Sequence, residues 1–100
     1  MLITEDKQQF INRSRMDIMA SLLTRSIDGA RKTKLLYGCN LSTVQCNKYI
    51  DYLVDVGFLQ RNINGNKGRY YETYQATQKG IEFINDYRRL MKSCKILKET

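Results

Sequence analysis

The sequence predicts an α+β fold that is mainly α, and three observations carry that reading. Residues 14–56 show helical apolar periodicity interrupted by two short turns. Residues 58–74 then change period, with aromatic and Thr-rich runs on either side of an Asn-Gly-Asn-Lys-Gly cluster. From residue 77 the helical pattern returns with heptad spacing. One hundred residues make one domain with one protruding element. The expected division is residues 1–76 and a C-terminal helix at residues 77–98.

The first 13 residues are polar and weakly patterned, and Phe10 and Ile11 either start the first helix early or pack as a lead-in. Ser14 and Asp17 form a capping box for a helix over residues 16–27. Its apolar face is Ile18, Met19, Leu22, Leu23 and Ile27. Asp28-Gly29 stops it, and Asp28 is placed to cap a second helix over residues 30–37. A tight turn containing Gly38 follows, and Ser42 with Gln45 opens a third helix by a second capping box. There Cys46, Ile50 and Leu53 fall at i, i+4 and i+7, a stripe that Leu41 and Tyr49 extend. Two helices across a short turn are the helix-turn-helix signature, and the second is the reader. Gly57 caps its end.

The next stretch reads as a two-stranded hairpin, with Lys67 at its tip and Arg61 and Arg69 on its flanks. It has no acid between Val56 and Glu72. A basic hairpin behind a reader helix suits a wing, so the architecture is a winged helix-turn-helix with a long C-terminal helix. Thr77 caps that helix. Phe83, Tyr87, Leu90, Cys94 and Leu97 step by 4, 3, 4 and 3, an a/d seam that predicts dimerisation through a coiled coil. Ile81, Ile84 and Met91 form an adjacent stripe, so one stripe can serve the domain and the other a partner.

Composition narrows the function. The formal charge is +7, made of +2 in residues 1–57 and +5 in residues 58–100. A basic surface attracts phosphate and anionic lipid alike. No apolar run is long enough to span a membrane, and the N-terminus lacks the apolar stretch of a signal peptide, so a cytoplasmic location is expected. Cys39, Cys46 and Cys94 have no CxxC spacing and the chain has no histidine, so neither a metal nor a cofactor is expected. Cys46 reads as a core residue; Cys39, in the turn, reads as possible to expose. No nucleophile–base pair or phosphate-binding glycine loop points to an enzyme.

The candidate base-facing residues are Thr43, Val44, Gln45, Asn47 and Lys48 on the reader helix: amides suit adenine, methyl groups suit thymine, and lysine suits guanine or phosphate. The same face also fits the wet side of any amphipathic helix. Arg31, Lys32, Thr33 and Lys34, with Arg61, Lys67 and Arg69 of the wing, are the candidate backbone contacts. They too fit a solvated basic surface.

The runs GARKTKLLYGCNLSTVQCNKYIDYLVDVGFL and YQATQKGIEFINDY resemble the small archaeal winged-helix DNA-binding proteins of crenarchaeal cells and their viruses. The most specific pieces are Gly-x-x-Lys-Thr-x-Leu-x-Tyr-x-x-Asn-Leu-Ser over residues 29–42 and Tyr74-x-x-Thr77-x-Lys79-Gly80. The resemblance implies a reader helix in the major groove, a wing at residues 59–74, and antiparallel pairing of last helices through Phe83, Tyr87, Leu90, Cys94 and Leu97. The expected function is a homodimeric double-stranded DNA-binding regulator. A non-sequence-specific chromatin protein and a winged-helix adaptor for protein contact remain open. The reader helix carries one cation, Lys48, with Asp51 and Asp55 behind it, which favours selective binding over uniform coating.

Overall fold

The computed structural model describes the backbone of residues 14–99 and the side chains of residues 14–93. Expectations for Phe10 and Ile11 and for the Cys94 and Leu97 side chains lie outside that range. The elements run α1 (Arg15–Arg25), α2 (Lys32–Gly38), α3 (Thr43–Asp55), β1 (Leu59–Asn66), β2 (Arg69–Ala76) and α4 (Gln78–Glu99). The strands pair antiparallel from Leu59↔Ala76 to Asn66↔Arg69.

Both capping boxes form. Ser14 accepts from the Asp17 N–H, and Ser42 accepts from the Gln45 N–H, each at 3.1 Å. These bonds satisfy helix donors that would otherwise lack partners, which is why α1 and α3 start where they do. α1 ends earlier than its apolar pattern suggests, at Arg25, and Ile27 is exposed. Ser26 is the reason: its buried hydroxyl donates to the Leu22 and Leu23 carbonyls, closing the helix from within.

The second helix also differs from its predicted start. Ala30 is not helical; it exchanges backbone hydrogen bonds with Tyr74 at 2.9 and 2.7 Å, so this residue joins the edge of the hairpin. α2 therefore starts at Lys32, with Arg31 rather than Asp28 at its N-cap position and no side-chain cap. The turn likewise works without Gly38, the last residue of α2. Asn40 takes the left-handed conformation, with φ 56°, a role that asparagine tolerates after a helix end. Cys39 is fully buried rather than exposed. As the C-cap of α2 it faces α1, where its sulfur lies 3.3 Å from the Ser21 hydroxyl.

The core joins all elements: Leu22 and Leu23 of α1, Leu35 of α2, Cys46, Ile50 and Leu53 of α3, Leu59 and Tyr74 of the hairpin, and Ile84 of α4. Three of these are the predicted α3 stripe, all essentially inaccessible to solvent. Burying each such aliphatic side chain stabilises the fold by about 1.5–3 kcal/mol before conformational entropy is counted.

The motif Thr77-x-Lys79-Gly80 fastens α4 to the end of α3. The Thr77 hydroxyl donates to the Gly57 carbonyl at 2.6 Å and accepts from the Gly80 N–H at 3.1 Å. Lys79 Nζ donates to the Val56 carbonyl at 3.0 Å. A Cβ on Gly80 would sit 2.2 Å from the Phe58 carbonyl oxygen, so only glycine permits this approach. The orientation of the third helix is thus fixed at its exit by the fourth.

Candidate nucleic-acid interface

The face of α3 opposite the core is centred on Lys48. Thr43, Val44, Gln45 and Lys48 are all exposed, Val44 at 65%. Four of the five predicted base-facing side chains therefore share the outer surface. Asn47 does not: it is half-buried, and its Oδ1 is shielded with no hydrogen-bond partner among the described residues. Gln45 is partly committed, because its Oε1 accepts from the Ser42 N–H at 3.1 Å. Only its amide N–H groups remain to read an acceptor unless the cap opens.

Tyr52 belongs to this face and sequence reasoning passed over it. It is 53% exposed and follows Val44 and Lys48 at successive steps of four. That spacing was the available signal. Asp51 lies toward the wing, and there it meets Arg61.

The wing is less basic in effect than in count. Arg61 reaches Asp51 at 3.4 Å and Glu72 at 3.8 Å, and its guanidinium lies 5.6 Å from the centre of the Tyr74 ring. Contact with Tyr74, together with both carboxylates, raises the Arg61 pKa above the ordinary arginine value, so the group is always charged. Its charge is compensated where it stands. Tyr74, whose hydroxyl donates to Glu72 at 2.7 Å, has its own pKa pushed up, first by burial. Burial also raises the Cys46 thiol and keeps it a neutral core group.

Lys67 and Arg69 are exposed at and beside the two-residue turn. Lys67 is itself in the left-handed region, with φ 51°, as the first central position of such a hairpin turn demands. The face of the hairpin opposite Arg61, which Arg69 shares, carries an amide ladder: Gln60 to Asn62 at 2.8 Å, Asn62 to Gln75 at 3.4 Å and Asn64 to the Thr73 hydroxyl at 2.7 Å. Of the predicted contacts before α3, Thr33 and Lys34 are exposed, Lys32 is half-buried, and Arg31 stacks 4.1 Å from the Tyr71 ring centre.

The predicted dimer seam is divided. Phe83 packs on Phe58 with ring centres 5.2 Å apart, and the Tyr87 hydroxyl donates to Asp17 of α1. Both side chains are used within the chain. Leu90 and Met91, by contrast, are 51% and 44% exposed.

A three-helix body, a helix pair joined by a tight turn, and a hairpin behind the second helix are the parts of one known architecture, and its family model matches residues 12–95. The chain belongs to the winged helix-turn-helix family. Among solved structures similar to it is Sso10a-2, a DNA-binding protein from Sulfolobus solfataricus, with 30% identity over 87% of each chain and a TM-score of 0.71. Two more distant structures match in fold alone. One is a possible HxlR family transcriptional factor from Thermoplasma volcanium, at 18% identity over all of this chain and 88% of that one, with a TM-score of 0.64. The other is the MepR–DNA complex from S. aureus, at 10% identity over 96% and 78%, with a TM-score of 0.66. No curated protein matches the sequence. Within the winged-helix frame α3 takes the position of the recognition helix and the hairpin that of the wing, and the similarity to an archaeal protein agrees with the sequence resemblance. Among the described residues no cluster of His, Cys, Asp or Glu can hold a metal ion, and no helix is long and apolar enough to cross a membrane.

Proposed function

We propose that this chain binds double-stranded DNA as a transcriptional regulator, laying the outer face of α3 in the major groove. The observation that carries the reading is the contrast between the two faces of that helix. One face is locked into the core by Cys46, Ile50 and Leu53, and the other presents Thr43, Val44, Lys48 and Tyr52 to solvent. A rigid helix with short polar, methyl-bearing and cationic groups on its free face is what base-edge recognition requires. The DNA-binding description of Sso10a-2 supports it. Lys67 and Arg69 are the wing cations with reach to phosphate; Arg61 serves chiefly to join the wing to α3.

The functional unit in this reading is a homodimer. With Phe83 and Tyr87 occupied within the chain, pairing begins at Leu90 and uses the outer part of α4. Two recognition helices would then meet half-sites about 34–36 Å apart, or a multiple of this, on one face of the duplex.

A mobility shift at controlled salt tests the function. It compares the DNA upstream of the protein's own gene with a scrambled duplex of equal length and composition. Retention of the native fragment at least about ten-fold more tightly, or about 1.4 kcal/mol, identifies a site-specific regulator. Equal retention would replace that role with chromatin-type binding. Absence of binding at low salt would remove DNA as the partner and turn attention to a protein adaptor.

A further inference from the structure

The two flanks of the recognition helix differ in charge, and the difference assigns them different work. Toward the wing lie Asp51, 71% exposed at its side chain, and Glu72, and these two acids already take up Arg61. On the other flank α3 and the start of α1 enclose an open groove of about 530 Å³, lined by Arg15, Met19, Gln45, Lys48, Tyr49 and Tyr52. No acid lines it, and both of its cations are exposed. Asp17, two residues from Arg15, points elsewhere, with its carboxylate holding the Ser14 N–H and the Tyr87 hydroxyl; Asp51, next to Tyr52, meets Arg61, and exposed Asp55 lies one turn further along α3.

We propose that this groove holds a phosphodiester strand of the bound duplex, with Arg15 on a phosphate, the hydroxyl of exposed Tyr52 as a further donor, and Lys48 at its border with the base-facing surface. The inference rests on the double-stranded DNA reading and adds a contact site to it. An α-helix of about 10–12 Å fills a major groove about 12 Å wide, so both bordering backbones must pass along its flanks. The acid-bearing wing flank repels one of them close to α3, and the groove attracts the other. Arginine offers a planar fork that matches phosphate oxygens, and the rigid α1 backbone sets its starting point. Met19 and the Tyr49 ring give the groove an apolar floor that leaves sugar edges in contact and the phosphates at the cationic rim. Arg15 therefore anchors the strand, although it lies outside the helix-turn-helix and the wing.

The test is binding of a short labelled duplex to the full chain, followed by fluorescence anisotropy across a salt series. Wild type is compared with Arg15→Gln, Arg15→Lys, Tyr52→Phe and Arg88→Gln. Arg88 borders a cleft on the opposite side of α1, with Asp17, Thr24 and Tyr87, so its loss changes net charge equally at a distant place. Arg15→Gln should weaken binding to native and scrambled duplexes alike, by about ten-fold. It should also reduce the slope of log K against log salt by about 0.9, the value of one phosphate contact. Arg15→Lys should restore the slope, Tyr52→Phe should weaken binding without changing it, and Arg88→Gln should do neither. If wild type binds and Arg15→Gln matches Arg88→Gln in slope and affinity, the groove is not a strand site while the DNA reading stands. If wild type binds no duplex, both fall together.

Discussion

The recognition helix and the hairpin next to it are both surface elements, yet they are held in opposite ways. α3 is gripped along its length by three inaccessible side chains and clamped at both ends, by the Ser42–Gln45 box and by Thr77 and Lys79. Its outer side chains are consequently free of structural duty, Gln45 and Asp51 excepted. Among the described residues the hairpin is buried only at its base, through Leu59, Tyr74 and Ala76, with Arg31 stacked on Tyr71 further up. Above that it is tied mostly to itself by the amide ladder, and one of its cations is spent on the join to α3. Rigidity and free chemistry therefore coincide on the helix, whereas on the wing polar groups do the holding.

Breaking the helix anchorage should have the largest effect. Leu53→Ala empties a fully buried site and should cost about 3 kcal/mol of stability, read as a lowered denaturant midpoint. Gly80→Ala drives a methyl group into the Phe58 carbonyl and should cost about 2 kcal/mol despite alanine's better helix propensity. If it stabilised the protein instead, the clamp between α4 and the end of α3 would not be the constraint described. Ser42→Ala removes one cap bond at a helix start and should cost about 1 kcal/mol. The backbone N–H of residue 42 survives this substitution and still holds the Gln45 side-chain oxygen, so base preference should stay unchanged.

The hairpin should respond more weakly. Lys67→Asn relieves a lysine held at positive φ and should stabilise the protein by about 0.5 kcal/mol while weakening DNA binding. Equal or tighter binding by this variant would show that the wing tip does not approach phosphate.

Titration probes both regions at once, because burial raises Cys46 in the helix and Tyr74 in the hairpin. The unfolded chain releases these protons first as pH rises. Their contribution is therefore fully present below the ordinary thiol and phenol ranges and declines through the raised values. Thermal midpoints should fall on the alkaline side, from about pH 8 upward.

The same contrast explains what could be read from the chain. Periodicity located α3 and its buried stripe, since a stripe at i, i+4 and i+7 has one face to bury, and the local capping boxes marked two helix starts. Ala30 and Cys39 were misplaced because their conformations follow from neighbours distant in sequence: Tyr74 for Ala30, and α1 for Cys39. Charge counting overstated the wing for a related reason. Asp51 is ten residues from Arg61 and on another element, so their pairing is visible only once the chain is folded. Likewise Phe83 and Tyr87 fit a heptad seam, yet Phe58 and Asp17 reach them first. Arg15 carries no motif, and only the packing of α1 beside α3 brings it to the recognition surface.

The most direct measurement of the central claim is amide chemical-shift mapping of the full chain during titration with its own upstream duplex. Shifts should centre on Thr43, Val44, Lys48 and Tyr52, extend to Arg15 on one side and to Lys67 and Arg69 on the other, and leave Leu90 and Met91 unchanged. Shifts confined to α4, or to the hairpin with α3 silent, would contradict recognition by this helix.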